Sequence, residues 1–197
     1  MNAGGNCSHT YLGPAIRAFL RGLPTGARVV DLGCGNGSLT SQFAEPSWDV
    51  HGVDISTSAV QEGVEAYKGI HFHVADVTGE LGFLEPCSFD AVVAAEVIEH
   101  LYAPRRLLSN AHKLLKPGGR LVITTPYHGY LKNLALALTG GMDSHFTALW
   151  DGGHIKFWSQ RTLESVLKDC GFSVLRFKGV GRTAYLWKSM VVLAVRP

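Results

Sequence analysis

The chain is poor in charge. Asp, Glu, Lys and Arg make up 17% of its 197 residues, against roughly a quarter in ordinary domains. Acidic and basic groups nearly cancel, at a formal +2. With no run of like charges, a nucleic-acid partner is disfavoured, leaving room only for a small basic patch. Four cysteines occur, Cys7, Cys34, Cys87 and Cys170, and no CxxC, which argues against a disulfide framework or a zinc knuckle. No apolar run reaches the roughly 18 residues of a membrane-crossing helix. The segment MNAGGNCSHTYLG lacks the charged and apolar regions of a secretory leader. A reduced, cytoplasmic protein is therefore expected. No internal repeat is present. Apolar residues amount to 46%, which excludes disorder, and a chain this long can bury roughly 70% of its unfolded surface. Its 23 glycines show no period, so they signal tight turns rather than collagen.

Strand-like and helix-like segments alternate. Arg28–Leu32, Trp48–Val53, Ile70–Ala75, Phe89–Ala95 and Arg120–Thr125 read as strands. Phe89–Ala95 is a near-continuous apolar run, suited to a strand buried on both faces. Between them, Gly37–Glu45, Ser58–Lys68 (with Ser56 as a candidate cap) and Pro104–Leu115 read as helices. This rhythm predicts an α/β fold, a mostly parallel sheet with helices on both faces and ligands beyond the carboxyl ends of the strands. After it come a helix over Gln160–Cys170 and strands over Phe172–Phe177 and Met190–Val195, expected as a closing hairpin at the sheet edge. Residues 1–197 then form one domain, with 128–158 as an insertion over the site.

The chemistry gathers at the expected strand ends. The string DLGCGNG over residues 31–37 follows the first strand. Its glycines allow a sharp turn and close approach to a ligand, and a helix opening there would offer free N–H groups to a carboxylate or phosphate. The spacing is GxGxG rather than the GxGxxG of dinucleotide folds. Asp54 ends the second strand, 19 residues after Gly35, where an acidic residue can take ribose hydroxyls. Asp76 ends the third, where it could read an exocyclic amine. Singly, each could equally be a strand-end or cap residue.

Together these segments resemble the class I S-adenosylmethionine-dependent methyltransferases, over roughly Ala27–Pro126. The matching strings are DLGCGNG, VDIS, VADV, FDAVVAAEVIEHL and LLKPGGRLVITTP. The resemblance implies a Rossmann-like sheet of order 3-2-1-4-5-7-6 with strand seven antiparallel. It implies that Asp31 orients the cofactor's ammonium end and that Gly33, Cys34 and Gly35 line its loop. It also implies that Asp54 contacts ribose, that Ile55 packs on adenine, and that Asp76 and Val77 meet the adenine edge. The implied activity is methyl transfer, in which orientation and proximity supply much of the rate.

Glu96, Glu99 and His100 follow the fourth strand. A helical turn starting at Glu96 would place all three on one face. In one reading they bind a divalent cation, Mg²⁺ or similar, which would lower the pKa of a substrate hydroxyl. The string resembles that of the ubiquinone-biosynthesis O-methyltransferases. It also resembles that of small-RNA 3′-terminal 2′-O-methyltransferases, in which a later histidine completes a metal site; His154 is the candidate here. In the other reading Glu96 touches the cofactor, Glu99 is solvated, and His100 acts alone as a general base or merely packs. Leu131–Leu138 could be a helix packed on the sheet, a lid over an apolar acceptor, or a peripheral membrane contact. Phe146, Trp150, Phe157 and Trp158 could wall a pocket, and Tyr11 and Arg17 could help close the cofactor site. The expected function is methyl transfer to oxygen of a small, fairly apolar phenol- or quinol-like metabolite. Metal-assisted RNA 2′-O-methylation and a non-catalytic cofactor-binding module are the alternatives.

Overall fold

A computed structural model describes residues 8–146 and 148–197. Cys7 and most of the segment read for a leader lie outside the described residues. Seven strands form one sheet: β1 (Arg28–Leu32), β2 (Asp49–Asp54), β3 (Ile70–Val74), β4 (Phe89–Ala95), β5 (Leu115–Pro126), β6 (Ser173–Val180) and β7 (Ser189–Val195). Their order is β3-β2-β1-β4-β5-β7-β6. The pairs from β3 to β5 are parallel, and β7 runs antiparallel to both β5 and β6. This is the Rossmann-like arrangement that the motifs implied.

The sheet is buried on both faces because its central strands carry apolar residues on both sides, in β1 at Val29, Val30 and Leu32 and in β4 at Ala91 to Ala94. On one face Val30, Leu32, Val92, Ala94, Leu121 and Ile123 pack under α4 (Pro104–Leu114) and α7 (Gln160–Asp169). On the other, Val29, Ala91, Val93 and Val122 meet Leu12, Ile16 and Phe19 of α1 (His9–Leu20) and Phe43 of α2 (Thr40–Phe43). Side chains alternate along a strand, so Asp31, two residues past Val29, lies on the α1 face.

Two helices differ from expectation. The helix read over Gly37–Glu45 is only α2, because Gly37 sits at φ +78°, in the left-handed region that a right-handed helix excludes, and Ala44 turns extended at the other end. The glycine loop therefore presents turn amides, not the end of a long helix. α3 (Thr57–Ala66) starts as read, with the Ser56 side chain accepting from the Ala59 amide. The segment read as an insertion holds α5 (Tyr130–Leu138) and α6 (Met142–Phe146), and the His128 amide donates to the Trp158 carbonyl at its base, 3.0 Å. α5 is not an ordinary helix packed on the sheet. Its one buried residue is Lys132, while Leu131, Leu134 and Leu138 are exposed.

Leu108 of α4 is fully buried against the sheet. Leu108→Ala should lower unfolding stability by about 3 kcal/mol, with the m-value unchanged, in urea titration.

Candidate functional site

The loop after β1 is tied to β2. The Gly33 and Cys34 amides both donate to the Val53 carbonyl, at 2.7 and 3.1 Å. Gly33 has φ +91°, and a side chain there would collide with Val97, so the position requires glycine. The Gly35 amide donates to Asp54 Oδ2 at 2.8 Å, and the Ser56 amide to Oδ1 at 2.8 Å. Asp54 thus braces the loop with both oxygens, each keeping a lone pair for a further donor. Ile55 beside it is 71% exposed, an unpaid apolar surface at a strand end. Asp76 Oδ1 accepts from the Thr78 amide and hydroxyl. Val77 is buried among core residues, so its side chain is turned inward and any edge contact falls to its backbone.

Beside this loop lies a cavity of about 240 Å³ lined by Leu12, Asp31, Gly33, Gly35, Leu39 and Glu96, among others. Tyr11 and Arg17 are not among the residues that line it, and Arg17 is paired with Glu45 instead. Cys34 lines the same wall, with its thiol pushed up by burial and by the charges of Asp31 and Asp54, which leaves it inert as a nucleophile. Asp31 is 1% exposed. Its Oδ2 accepts from the Thr40 hydroxyl at 2.6 Å, and its Oδ1 has no hydrogen-bond partner among the described residues. Burial lifts this carboxyl to about 7, against the Thr40 bond that holds it down. A buried carboxylate with a spare oxygen is costly unless a cation meets it. The geometry therefore suits a ligand ammonium group.

Glu96, Glu99 and His100 do not share a face. Glu96 has φ +56°, outside the helical region, and only Ile98–His100 form a single 3-10 turn. The Glu96 conformation is held by tertiary bonds. Its amide donates to the Thr124 carbonyl and hydroxyl, both at 3.1 Å. Its Oε1 accepts from the Thr124 hydroxyl at 2.8 Å and its Oε2 from the Ser189 hydroxyl at 3.2 Å. Glu99 Oε2 instead accepts from the Thr125 hydroxyl at 3.0 Å. Adjacent strand residues face opposite ways, so Thr124 and Thr125 hold the two carboxyl groups on opposite sides of β5. Burial raises Glu96 to about 7. Burial, and then the Glu96 charge, raise Glu99 well above the usual carboxylate range.

Glu99, His100 and His154 do converge, with one donor atom of each within 4.8 Å of the others. Glu96 is not part of this group, which corrects the four-residue set. The convergence is built by the backbone. The Glu99 carbonyl accepts from the Ile155 and Lys156 amides, both at 3.0 Å. His100 Nδ1 lies 3.1 Å from the Gly152 carbonyl and 3.3 Å from that of Gly153. A carbonyl only accepts, so Nδ1 carries the proton and Nε2 is left with a bare lone pair. Glu99 Oε1 is buried with no hydrogen-bond partner among the described residues. Trp150 packs edge-on against both histidines, whereas Phe146 and Phe157 stand against His128.

Sequence reading missed Thr40, Thr124, Thr125 and Ser189, which hold the three acids. Threonine is common in strands, and nothing in TTP marks two hydroxyls as carboxyl partners. It also missed Lys132 and Arg182, which line a second cavity near His154.

A family model described as Methyltransferase domain matches residues 9–176. Ubiquinone biosynthesis O-methyltransferase of Paraburkholderia phymatum is 35% identical over 104 residues, 51% of this chain and 45% of the relative. The protein of that name from Burkholderia pseudomallei is 29% identical over 160 residues, 79% of this chain and 68% of the relative. The chain thus spans about half to two thirds of the length of these curated relatives. Among solved structures, magnesium protoporphyrin IX methyltransferase from Synechocystis, with bound SAH, has a TM-score of 0.73 at 24% identity, covering 96% of this chain and 84% of that one. A putative methyltransferase from Bacillus halodurans has a TM-score of 0.73 at 14% identity, covering 93% and 98%.

The raised Glu96 acid has a consequence for stability. It keeps its proton up to about 7 when folded, but only to about 4.5 when unfolded. Stability present below about 4.5 is therefore lost as pH rises toward 7. Glu96→Gln, which mimics the protonated acid, should show a smaller fall in melting temperature between about pH 5 and 8 than the unsubstituted chain; equal falls would discard carboxyl burial as the cause.

Proposed function

The chain belongs to the Methyltransferase domain family, and from that premise we propose that it transfers a methyl group from S-adenosylmethionine to an oxygen of a small, fairly apolar hydroxylated metabolite of the phenol or quinol kind. The observation that carries this reading is the convergence of Glu99, His100 and His154, in which two carbonyls hold His100 Nδ1 as a donor and so leave the lone pair on Nε2. A phenol keeps its proton to about pH 10, so transfer to its oxygen calls for a proton acceptor. The printed name of the curated relatives, an O-methyltransferase, agrees with oxygen as the acceptor atom.

S-adenosylmethionine supplies an electrophilic methyl on a sulfonium. The chain's own part is to hold and orient. The spare Oδ1 of Asp31 takes the ammonium end in the loop-side cavity, and the Gly33–Gly35 turn leaves room for the adjoining carboxylate. Asp54 retains lone pairs for ribose hydroxyls, Ile55 offers an apolar surface to the base, and Asp76 stands at the next strand end. His100 Nε2 takes the acceptor's hydroxyl proton, and the Gly152 and Gly153 carbonyls stabilise the imidazolium so formed.

Glu99, His100 and His154 also fit a divalent cation: one carboxylate and two imidazoles are a transition-metal donor set, and the orphaned Glu99 Oε1 supplies the charge. Such an ion would occupy the His100 lone pair, so its Lewis-acid polarisation of the same hydroxyl would stand in place of proton acceptance by His100. The exposed leucines of α5 would serve contact with an apolar acceptor or with the membrane surface from which it comes.

Two measurements test the reading. A screen of phenolic and quinol acceptors with labelled S-adenosylmethionine, in EDTA and with added Mg²⁺ or Mn²⁺, should find turnover that survives EDTA. His100→Gln should then cost about 10²–10⁴-fold in kcat; turnover abolished by EDTA and restored by the metal moves that role to the ion. The raised Asp31 carboxyl predicts proton release when an ammonium ligand binds, because a cation favours the ionised form. Calorimetry of S-adenosylhomocysteine binding at about pH 6.5, in buffers of different ionisation enthalpy, should read that release, and Asp31→Asn should remove it. No buffer dependence would sink the ammonium assignment.

A further inference from the structure

Next to His154 lies a second cavity, separate in its lining from the loop-side one. It measures about 240 Å³ and has aromatic walls from Phe146 and Phe157. Pockets for drug-sized ligands run about 300–1,000 Å³, so this one suits a single aromatic ring. Lys132, Arg182 and Lys188 line it, and no Asp or Glu among the described residues does. Lys132, His145 and Arg182 also line the neighbouring cavity of about 380 Å³, whose remaining wall includes Ala135, Leu136 and Leu186 and again holds no carboxylate. Two cationic side chains therefore stand where the two cavities meet.

Lys132 is the least expected of them. It is the one buried residue of α5, 7% exposed, and among the described residues its ammonium donates one bond, to the Tyr127 carbonyl at 2.8 Å. An ammonium has three donors, so two remain. Burial and the nearby Arg182 charge push it down to about 8, against the Glu96 charge, which raises it. A helix that turns its leucines to solvent and buries a lysine beside an arginine forgoes apolar burial to keep like charges together, an arrangement that the Glu96 charge offsets only in part and that a bound anion would stabilise further.

We propose that the acceptor carries a carboxylate and that Lys132 and Arg182 bind it at the junction of these two cavities. A guanidinium presents paired donors matched to a planar carboxylate. The ring would lie between Phe146 and Phe157, and any apolar substituent would extend along Leu136 and Leu186. Lys132 and Arg182 are then specificity residues, apart from the proton-accepting His100. The identity of the occupant as the methyl acceptor rests on the methyl-transfer reading above; the anion site itself does not.

The test uses the full chain loaded with S-adenosylhomocysteine, titrated calorimetrically with 3,4-dihydroxybenzoate and with its neutral methyl ester. The acid should bind about tenfold more tightly than the ester, and Arg182→Gln should bring it down to the level of the ester. Arg182 is exposed, and an unchanged affinity for S-adenosylhomocysteine in the same titrations controls for folding. Equal affinity for acid and ester, absence of binding by both, or an acid affinity indifferent to Arg182→Gln overturns the proposal. Acid that binds in this way without ever being methylated upholds the anion site and defeats the oxygen-transfer reading. Ester methylated as readily as the acid defeats the anion site and leaves that reading standing.

Discussion

Three carboxyl groups are kept out of water at the carboxyl ends of β1 and β4, and the rest of the site is organised around that cost. Asp31, Glu96 and Glu99 each lie in or beside a sheet whose two faces are sealed by helices. Desolvation raises all three, and single hydroxyl donors from Thr40, Thr124, Ser189 and Thr125 repay part of it. Two of the acids keep an oxygen with no hydrogen-bond partner among the described residues. A fold built for stability alone would have filled these places with valine. The unsatisfied oxygens are the places that the proposed ammonium end and cation would fill.

The second organising contact is between backbones. The single 3-10 turn after β4 is too short to hold three functional side chains together. It is the carbonyl of Glu99, accepting from Ile155 and Lys156, that brings residues 152–156 back across the sheet end and sets His154 beside His100. The same segment fixes the His100 tautomer through two glycine carbonyls. Position and protonation of the imidazole thus come from one stretch of chain.

Charge is divided across the site although the chain as a whole is nearly neutral. Asp31 and Glu96 line the glycine-loop cavity, while Glu99 stands apart with His100 and His154. Lys132, Arg182 and Lys188 gather in the cavity beyond Pro126. Glu96 belongs to the first wall, yet its charge reaches Lys132 in the second, so the halves are electrostatically coupled. Such a division favours a cationic donor on one side and an electron-rich acceptor on the other.

Local physics made much of this legible in advance. Period-two alternation and apolar runs announced a sheet covered on both faces, and the GxGxG turn with aspartates at successive strand ends marked the cofactor side, because each of these is written in neighbouring residues. Glu96 defeated that kind of reading: its left-handed backbone is imposed by Thr124 and Ser189, 28 and 93 residues away, and no helical spacing rule contains them. α2 is cut back by the left-handed Gly37 and the extended Ala44, and α5, open in the sequence to a packed helix, a lid or a membrane contact, turns Leu131, Leu134 and Leu138 to solvent while burying Lys132. The convergence of Glu99, His100 and His154, and the meeting of Lys132 with Arg182, depend on where a 31-residue segment folds back between 128 and 158. Contacts between distant residues carry no signature in one chain's spacing, so the strand ends were determined by the sequence itself and the partners gathered around them by the tertiary structure alone.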